Sequence, residues 1–181
     1  IFCSFAFQSQ FKEKIQNEYN IMSLVNSSAK QGNFLFRYRG QFPVLLFLIV
    51  IPFIYIYPSR ISENAAIIYN ITAVFISSLG CLIRFYTIGT TPKGTSGRNT
   101  KKQIADHLNC TGIYSLVRHP LYLGNYFIWL GITVFTYNVY FIIIVSFLFW
   151  IYYSLIIFAE EDFLKKKFGN KYLDWSNKIP K

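Results

Sequence analysis

"VYFIIIVSFLFWIYYSLIIFA" (Val139–Ala159) contains no charged residue and runs directly into Glu160 and Glu161. A helix needs about 20 consecutive apolar residues to cross the hydrocarbon core of a bilayer, and this block has that length. Three further apolar blocks precede it. Phe42–Tyr57 is short and carries Pro43 and Pro52, which are expected to kink it. Ala65–Ile88 is interrupted by Asn70 and Arg84, and Leu121–Tyr137 is separated from the last block by Asn138 alone. Charged residues make up 14% of the chain, against about 25% in soluble domains. The expectation is an all-α fold: a polytopic membrane helical bundle of about four transmembrane helices (about 42–57, 65–88, 121–137 and 139–159), with no separate soluble domain.

The flanking charges orient these blocks. Lys30, Arg37 and Arg39 precede the first, and only Arg60, with Glu63, follows it. Lys93, Arg98, Lys101, Lys102 and Arg118 lie between the second and third, and no charge separates the third from the fourth. Lys165, Lys166, Lys167, Lys171, Lys178 and Lys181 follow the fourth. Basic and non-basic flanks alternate, as the positive-inside rule requires for four spans with both termini cytoplasmic. The net charge of +10 is explained by this orientation and by anionic headgroups, so no nucleic-acid partner is inferred. Cys3, Cys81 and Cys110 are odd in number and widely spaced, which fits neither a disulfide framework nor a zinc site.

The chain opens on Ile1, and Met22 is its only methionine. Residues 1–21 therefore read as a disordered or non-native extension, and residues 22–181 as the membrane domain. The segment Gly89–His119 is polar and basic, too long for a tight connection, and such loops are functional or disordered. After the fourth block, Phe163, Leu164 and Phe168 have helical spacing. This predicts a C-terminal cytoplasmic interfacial helix with a turn at Gly169-Asn170.

The chemistry gathers at "SLVRHPLYLGNYF" (Ser115–Phe127). Pro120 suits the first position of a helix and disfavours helical backbone at His119, so the third span is expected to start at Pro120. The N–H groups of that first turn can accept an anion, with Arg118 and His119 beside them. Tyr122 and Tyr126 share a face, and Gly124 leaves room for a ligand. Counting from Asn138 back to Pro120 and forward to Glu160 places both ends on one membrane side, within about 6 Å in depth. His119, Tyr122, Glu160 and Glu161 can thus converge on one cytoplasmic pocket. Each residue also has a plainer role available. Arg118 and Arg84 can snorkel, His119 can be a structural end group, Glu160-Glu161 can pair with Lys165, and the tyrosines can belong to an aromatic belt.

Taken together, "GIYSLVRHPLYLGNYFIWLG" (Gly112–Gly131) and "AEEDFLKKKFGNKY" (Ala159–Tyr172) resemble the isoprenylcysteine carboxyl methyltransferase and phospholipid methyltransferase superfamily. The pattern is Arg118-His119-Pro120-Leu121-Tyr122, a hairpin, then Glu160-Glu161. The resemblance implies an integral membrane methyltransferase using S-adenosylmethionine, with His119, Tyr122, Gly124, Glu160 and Glu161 around the cofactor. A carboxylate there can hold the cofactor's ammonium group. Arg118 or helix N–H groups can hold its carboxylate, and tyrosine faces its sulfonium.

The acceptor is expected to be a membrane lipid or lipid-linked molecule carrying a carboxylate, phosphate or amine. Arg84, Arg98, Lys101, Lys102 and Tyr126 are candidates for binding it. "TPKGTSGRNT" (Thr91–Thr100) resembles bacterial members, which points to a bacterial inner membrane and sets prenylated CaaX proteins aside. Relatives often continue beyond the point where this chain stops, so a truncated C-terminus is expected. Two rival readings are a nicotinamide-dependent membrane reductase of the sterol reductase type and a non-catalytic membrane protein.

Overall fold

The computed structural model describes residues 2–41, 48, 51–52, 55–56, 61–92 and 103–180, and among them every regular element is helical. Helix α1 spans Phe2–Tyr38, α2 Glu63–Thr90, α3 Pro120–Val134, α4 Val139–Phe168 and α5 Asn170–Ser176. A short 3-10 turn at Gly112–Ser115 precedes α3.

The local chemistry explains these limits. The Ser62 side chain accepts a hydrogen bond from the Ala65 amide and caps α2. Asn138 caps α4 in the same way, accepting from the Phe141 amide at 3.0 Å. The expected start of α3 at Pro120 is observed, with His119 in non-helical backbone before it. Helix α3 ends at Val134 rather than Tyr137, because Thr136 and Tyr137 form a turn and Tyr137 has a φ of 54°. Helix α4 continues past Ala159 without a break, carries Glu160 and Glu161, and stops at Gly169, whose φ is also 54°. The expected turn follows there, but Phe163, Leu164 and Phe168 belong to the last turns of α4 and form no separate interfacial helix; the short helix α5 comes after the turn.

Two helices among the described residues, α2 and α4, are long and apolar enough to cross a membrane. Helix α3 has 15 residues, about 22 Å, which is shorter than the hydrocarbon core of about 30 Å. The first apolar block, Phe42–Tyr57, lies almost wholly outside the described residues.

The bundle is apolar on its outside, and the buried face of α2 is small or polar. Ile68, Ile71, Phe75, Leu82 and Phe85 of α2 are exposed, as are Ile143, Ile144, Phe147 and Leu148 of α4. The buried residues of α2 are instead Ala73, Gly80 and Thr87. Water would penalise that distribution, whereas lipid tails do not, and helices in lipid associate through close packing of small residues. The buried Thr87 and Thr133 hydroxyls donate to the carbonyls of Ile83 and Leu130, at 2.6 and 2.9 Å.

The α2–α3 seam is tight. A Cβ on Gly131 would lie 2.6 Å from the Ala73 carbonyl oxygen, and one on Gly124 would lie 2.7 Å from Cγ of Arg84. On the other side, α1 packs along α4, and Phe36 joins Tyr122, Trp129, Phe149, Tyr153 and Ile156 in an aromatic core. A smaller cluster of Ala105, Leu164 and Tyr172 ties the loop before α3 to α5.

Gly131→Val should overpack the seam and destabilise the protein by about 1–3 kcal/mol. Gly89→Ala, where a Cβ meets nothing within 4 Å, should change stability little. Thermal unfolding of both variants in detergent checks this, and equal stabilities would contradict the seam.

Candidate functional site

The hairpin of α3 and α4 brings the two motifs into contact. His119 Nε2 lies 3.2 Å from Oε1 of Glu161, and its Nδ1 lies 3.7 Å from Oε2 of Glu160. The imidazole is therefore held between two carboxylates, and both His119 and Glu160 are buried. Arg118 donates to the same Oε1 of Glu161 at 3.1 Å. Its Nε also donates to the Ile179 carbonyl at 2.6 Å, and its backbone N–H to the Pro180 carbonyl at 3.0 Å. The C-terminal strand of chain after α5 thus clamps Arg118 in place.

Beside this cluster lies a cavity of about 450 Å³, within the range of about 300–1,000 Å³ usual for small-molecule sites. Arg118, His119, Tyr122 and Glu160 line it, with Leu121, Ile128 and Trp129 supplying apolar wall. Arg84 lines it too, anchored by a hydrogen bond donated to the Asn125 side-chain oxygen Oδ1. Asn125 in turn donates to the Tyr153 hydroxyl at 3.1 Å. From the turn after α1 come Arg39 and Gly40, and Arg39 donates to the Tyr122 hydroxyl at 3.5 Å. Tyr114 and Trp175 line the side nearest the loop and α5, and the Trp175 indole N–H donates to the Tyr114 carbonyl at 3.2 Å.

The other expected site residues are placed differently. Gly124 sits in the α2–α3 seam, so the space it leaves is filled by Arg84 and Gly80 of α2. Glu161 faces Arg118 and His119 and is not among the cavity-lining residues. Tyr126 packs on Phe149 and Trp150, ring centroids 5.2 Å away in each case. Arg98, Lys101 and Lys102 lie outside the described residues. Sequence reasoning missed Arg39, Tyr114, Asn125, Tyr153 and Trp175. Only Asn125, a polar residue in an apolar block, carried a signal.

The electrostatics follow from burial and charge. Burial alone would lower the His119 pKa, but the polar contacts and charges of Glu160 and Glu161 outweigh it and raise the pKa above the ordinary 6.5. Burial, reinforced by the Glu160 charge, pushes the Tyr114 phenol up to about 12, against opposing polar contacts from Thr91 and Asn109. Burial and the Glu161 charge likewise push Tyr172 up to about 12, opposed by Arg118. The two carboxylates favour the cationic form of His119, and the tyrosines are held as neutral phenols.

A family model described as phospholipid methyltransferase matches residues 65–171. The chain belongs to the phospholipid methyltransferase family. The match contains the whole His119–Glu160–Glu161 cluster, while α1 lies outside it. Two curated relatives are each named protein-S-isoprenylcysteine O-methyltransferase. The one from Schizosaccharomyces pombe is 32% identical over 126 residues, covering 68% of this chain and 53% of the relative. The one from Saccharomyces cerevisiae is 32% identical over 120 residues, covering 61% and 50%. The chain spans about half the length of these curated relatives. No solved structure matches it significantly. Both relatives come from yeasts, and they lend no support to a bacterial membrane. Neither they nor the family model supports the reductase or the non-catalytic reading.

Because folding raises the His119 pKa, the folded protein binds this proton more tightly than the unfolded chain. The stabilisation is complete below the ordinary value of 6.5 and is lost as pH rises through the folded-state value. Thermal unfolding of the wild type should therefore show a stability loss as pH rises above about 6.5 that His119→Gln lacks. Parallel pH profiles would contradict the clamp.

Proposed function

We propose that this protein transfers a methyl group from S-adenosylmethionine to a lipidic or lipid-linked acceptor at the cytoplasmic membrane interface. The observation that carries the reading is Glu160, buried and lining a cavity directly beside the family's Arg-His-Pro stretch. When bound, S-adenosylmethionine supplies an electrophilic methyl group on a sulfonium. The cavity suits it in size and in donor set. Glu160 would hold the ammonium group, Arg118 the carboxylate, and the rings of Tyr122 and Tyr153, 5.0 Å apart, would face the sulfonium, worth about 0.5–2 kcal/mol. Gly124 and Glu161 would act by position, the first through the helix seam and the second by orienting Arg118 and His119.

The chain's part in the reaction is alignment and exclusion of water. Leu121, Ile128, Trp129 and Leu164 supply the dry wall. A carboxylate or phosphate acceptor is already a nucleophile at neutral pH and needs no general base. Two carboxylates beside the imidazole favour its protonated form, which supports His119 as a binding and orienting group. The relatives' names bring a prenylated cysteine back among the acceptors, alongside membrane lipids. For topology, the charge alternation supports four spans with both termini cytoplasmic, α3 reaching across with the turn that follows it.

Calorimetry with S-adenosylmethionine on the purified protein tests the reading. Glu160→Gln should weaken binding by about 2 kcal/mol, roughly thirtyfold, with His119→Gln also weaker. Wild-type affinity in Glu160→Gln would remove the assigned role. With an anionic acceptor, the rate should not follow a histidine-like pKa. A dependence of that kind, abolished in His119→Gln, would show proton abstraction instead.

A further inference from the structure

Two buried side-chain oxygens among the described residues close no hydrogen bond, Ser77 Oγ and the Tyr172 hydroxyl. Ser77 faces Gly131 in the α2–α3 seam, where its small size accounts for it. Tyr172 needs another account. It is 4% exposed, and its ring packs with Ala105 and Leu164, a contact that phenylalanine would make equally well. A buried hydroxyl without a partner costs stability. Its presence is explained if the hydroxyl finds its partner in another state of the site.

The charges around the phenol identify that partner. Burial and the Glu161 charge keep Tyr172 protonated at neutral pH, so it is a ready donor. Arg118 comes near enough for a polar contact without closing a bond. Arg118 lines the cavity, while Glu161 and Tyr172 do not, so a ligand meets the arginine and not its two neighbours. The guanidinium is held by two arms. Its Nε donates to the Ile179 carbonyl at 2.6 Å, in the segment after α5, and its Nη1 donates to Glu161 Oε1 at 3.1 Å. The first is a pivot. The second is one of two contacts on that oxygen, since His119 Nε2 lies 3.2 Å from it. An anion in the cavity competes with Glu161 for the guanidinium fork. When Arg118 turns to that anion, Glu161 loses a charge-assisted donor inside the protein and needs another.

We propose that Tyr172 is a positioning residue: when Arg118 turns about the Ile179 carbonyl toward the carboxylate of the cofactor, the Tyr172 hydroxyl donates to Glu161 in its place. The inference deepens the methyl-transfer reading and rests on it. The contact between Arg118 Nη1 and Glu161 is given up, a contact between the guanidinium and the cofactor carboxylate is gained, and the phenol closes the bond it lacks in the empty site. No proton changes owner, and His119 stays between the two glutamates. Tyr172 touches no ligand itself and acts through Glu161 and Arg118.

The test compares wild type with Tyr172→Phe, using the full chain in lipid nanodiscs. Two probes are titrated by calorimetry: S-adenosylmethionine and its decarboxylated form, which keeps the sulfonium, the amine and the nucleoside. Thermal unfolding of the ligand-free protein is recorded beside them. Wild type should bind S-adenosylmethionine tenfold or more tighter than the decarboxylated probe. Tyr172→Phe should bind S-adenosylmethionine fivefold or more weakly than wild type does, and the decarboxylated probe within twofold. Its ligand-free midpoint should equal or exceed that of wild type, because the hydroxyl has no partner to lose. Equal weakening for both probes would show a merely structural role and overturn the proposal. So would unchanged affinity for S-adenosylmethionine, a lowered ligand-free midpoint, or a wild type that does not distinguish the two probes. Failure of wild type to bind either probe sinks the methyl-transfer reading and the proposal together, whereas tight wild-type binding with an unaffected variant removes the proposal alone.

Discussion

The His119 imidazole held between two carboxylates, which favour its protonated form, is the contact on which the site depends. It joins the entry of α3 to the exit of α4, two points over forty residues apart in sequence. Burying any one of these charges alone would cost several kcal/mol. Together, with Arg118 completing the set, they neutralise one another. The arrangement leaves Glu160 on the cavity side and commits Glu161 to holding Arg118 and His119. Two adjacent acids therefore do different work because of what each faces.

The bundle around this cluster is arranged for lipid. Its seams are closed by small residues, and its outer faces carry the large apolar ones. Close approach of α2 to α3 also sets the cavity wall. The same contact that leaves no space for a Cβ at Gly124 fixes the stem of Arg84, and Asn125, the next residue, takes its head. Packing and site chemistry are thus one structure on that face. The aromatic core plays the corresponding part on the other side, where Phe36 seats α1 against Tyr122 and Tyr153 and supports Arg39.

The blocks at Ala65–Ile88 and Val139–Ala159 were legible because a run of apolar residues without charge has few structural uses. The start of α3 was legible because proline restricts both itself and His119. The convergence of His119 with the glutamate pair followed from counting rise along two helices joined by a short turn. Other features were not legible in this way. Ala73, Ser77, Gly80, Arg84 and Thr87 follow a four-three spacing that marks one packed stripe, and it places Arg84 toward the bundle, but the apolar surroundings hide that stripe. Gly124 looked like room for a ligand, although small residues in lipid more often admit another helix. Arg39 read as an orienting charge at a membrane flank. Its approach to Tyr122 depends on α1 packing along α4, which no local pattern shows. Tyr114 and Trp175 come from a loop and a short terminal helix whose meeting is tertiary.

The central claim is that the two motifs are energetically one unit. A double-mutant cycle on His119→Gln and Glu161→Gln, read by equilibrium unfolding in mixed micelles below neutral pH, tests it most directly. The account predicts a coupling of about 1–2 kcal/mol, as for residues sharing one charged network. Additive effects, within about 0.3–0.5 kcal/mol, would contradict it.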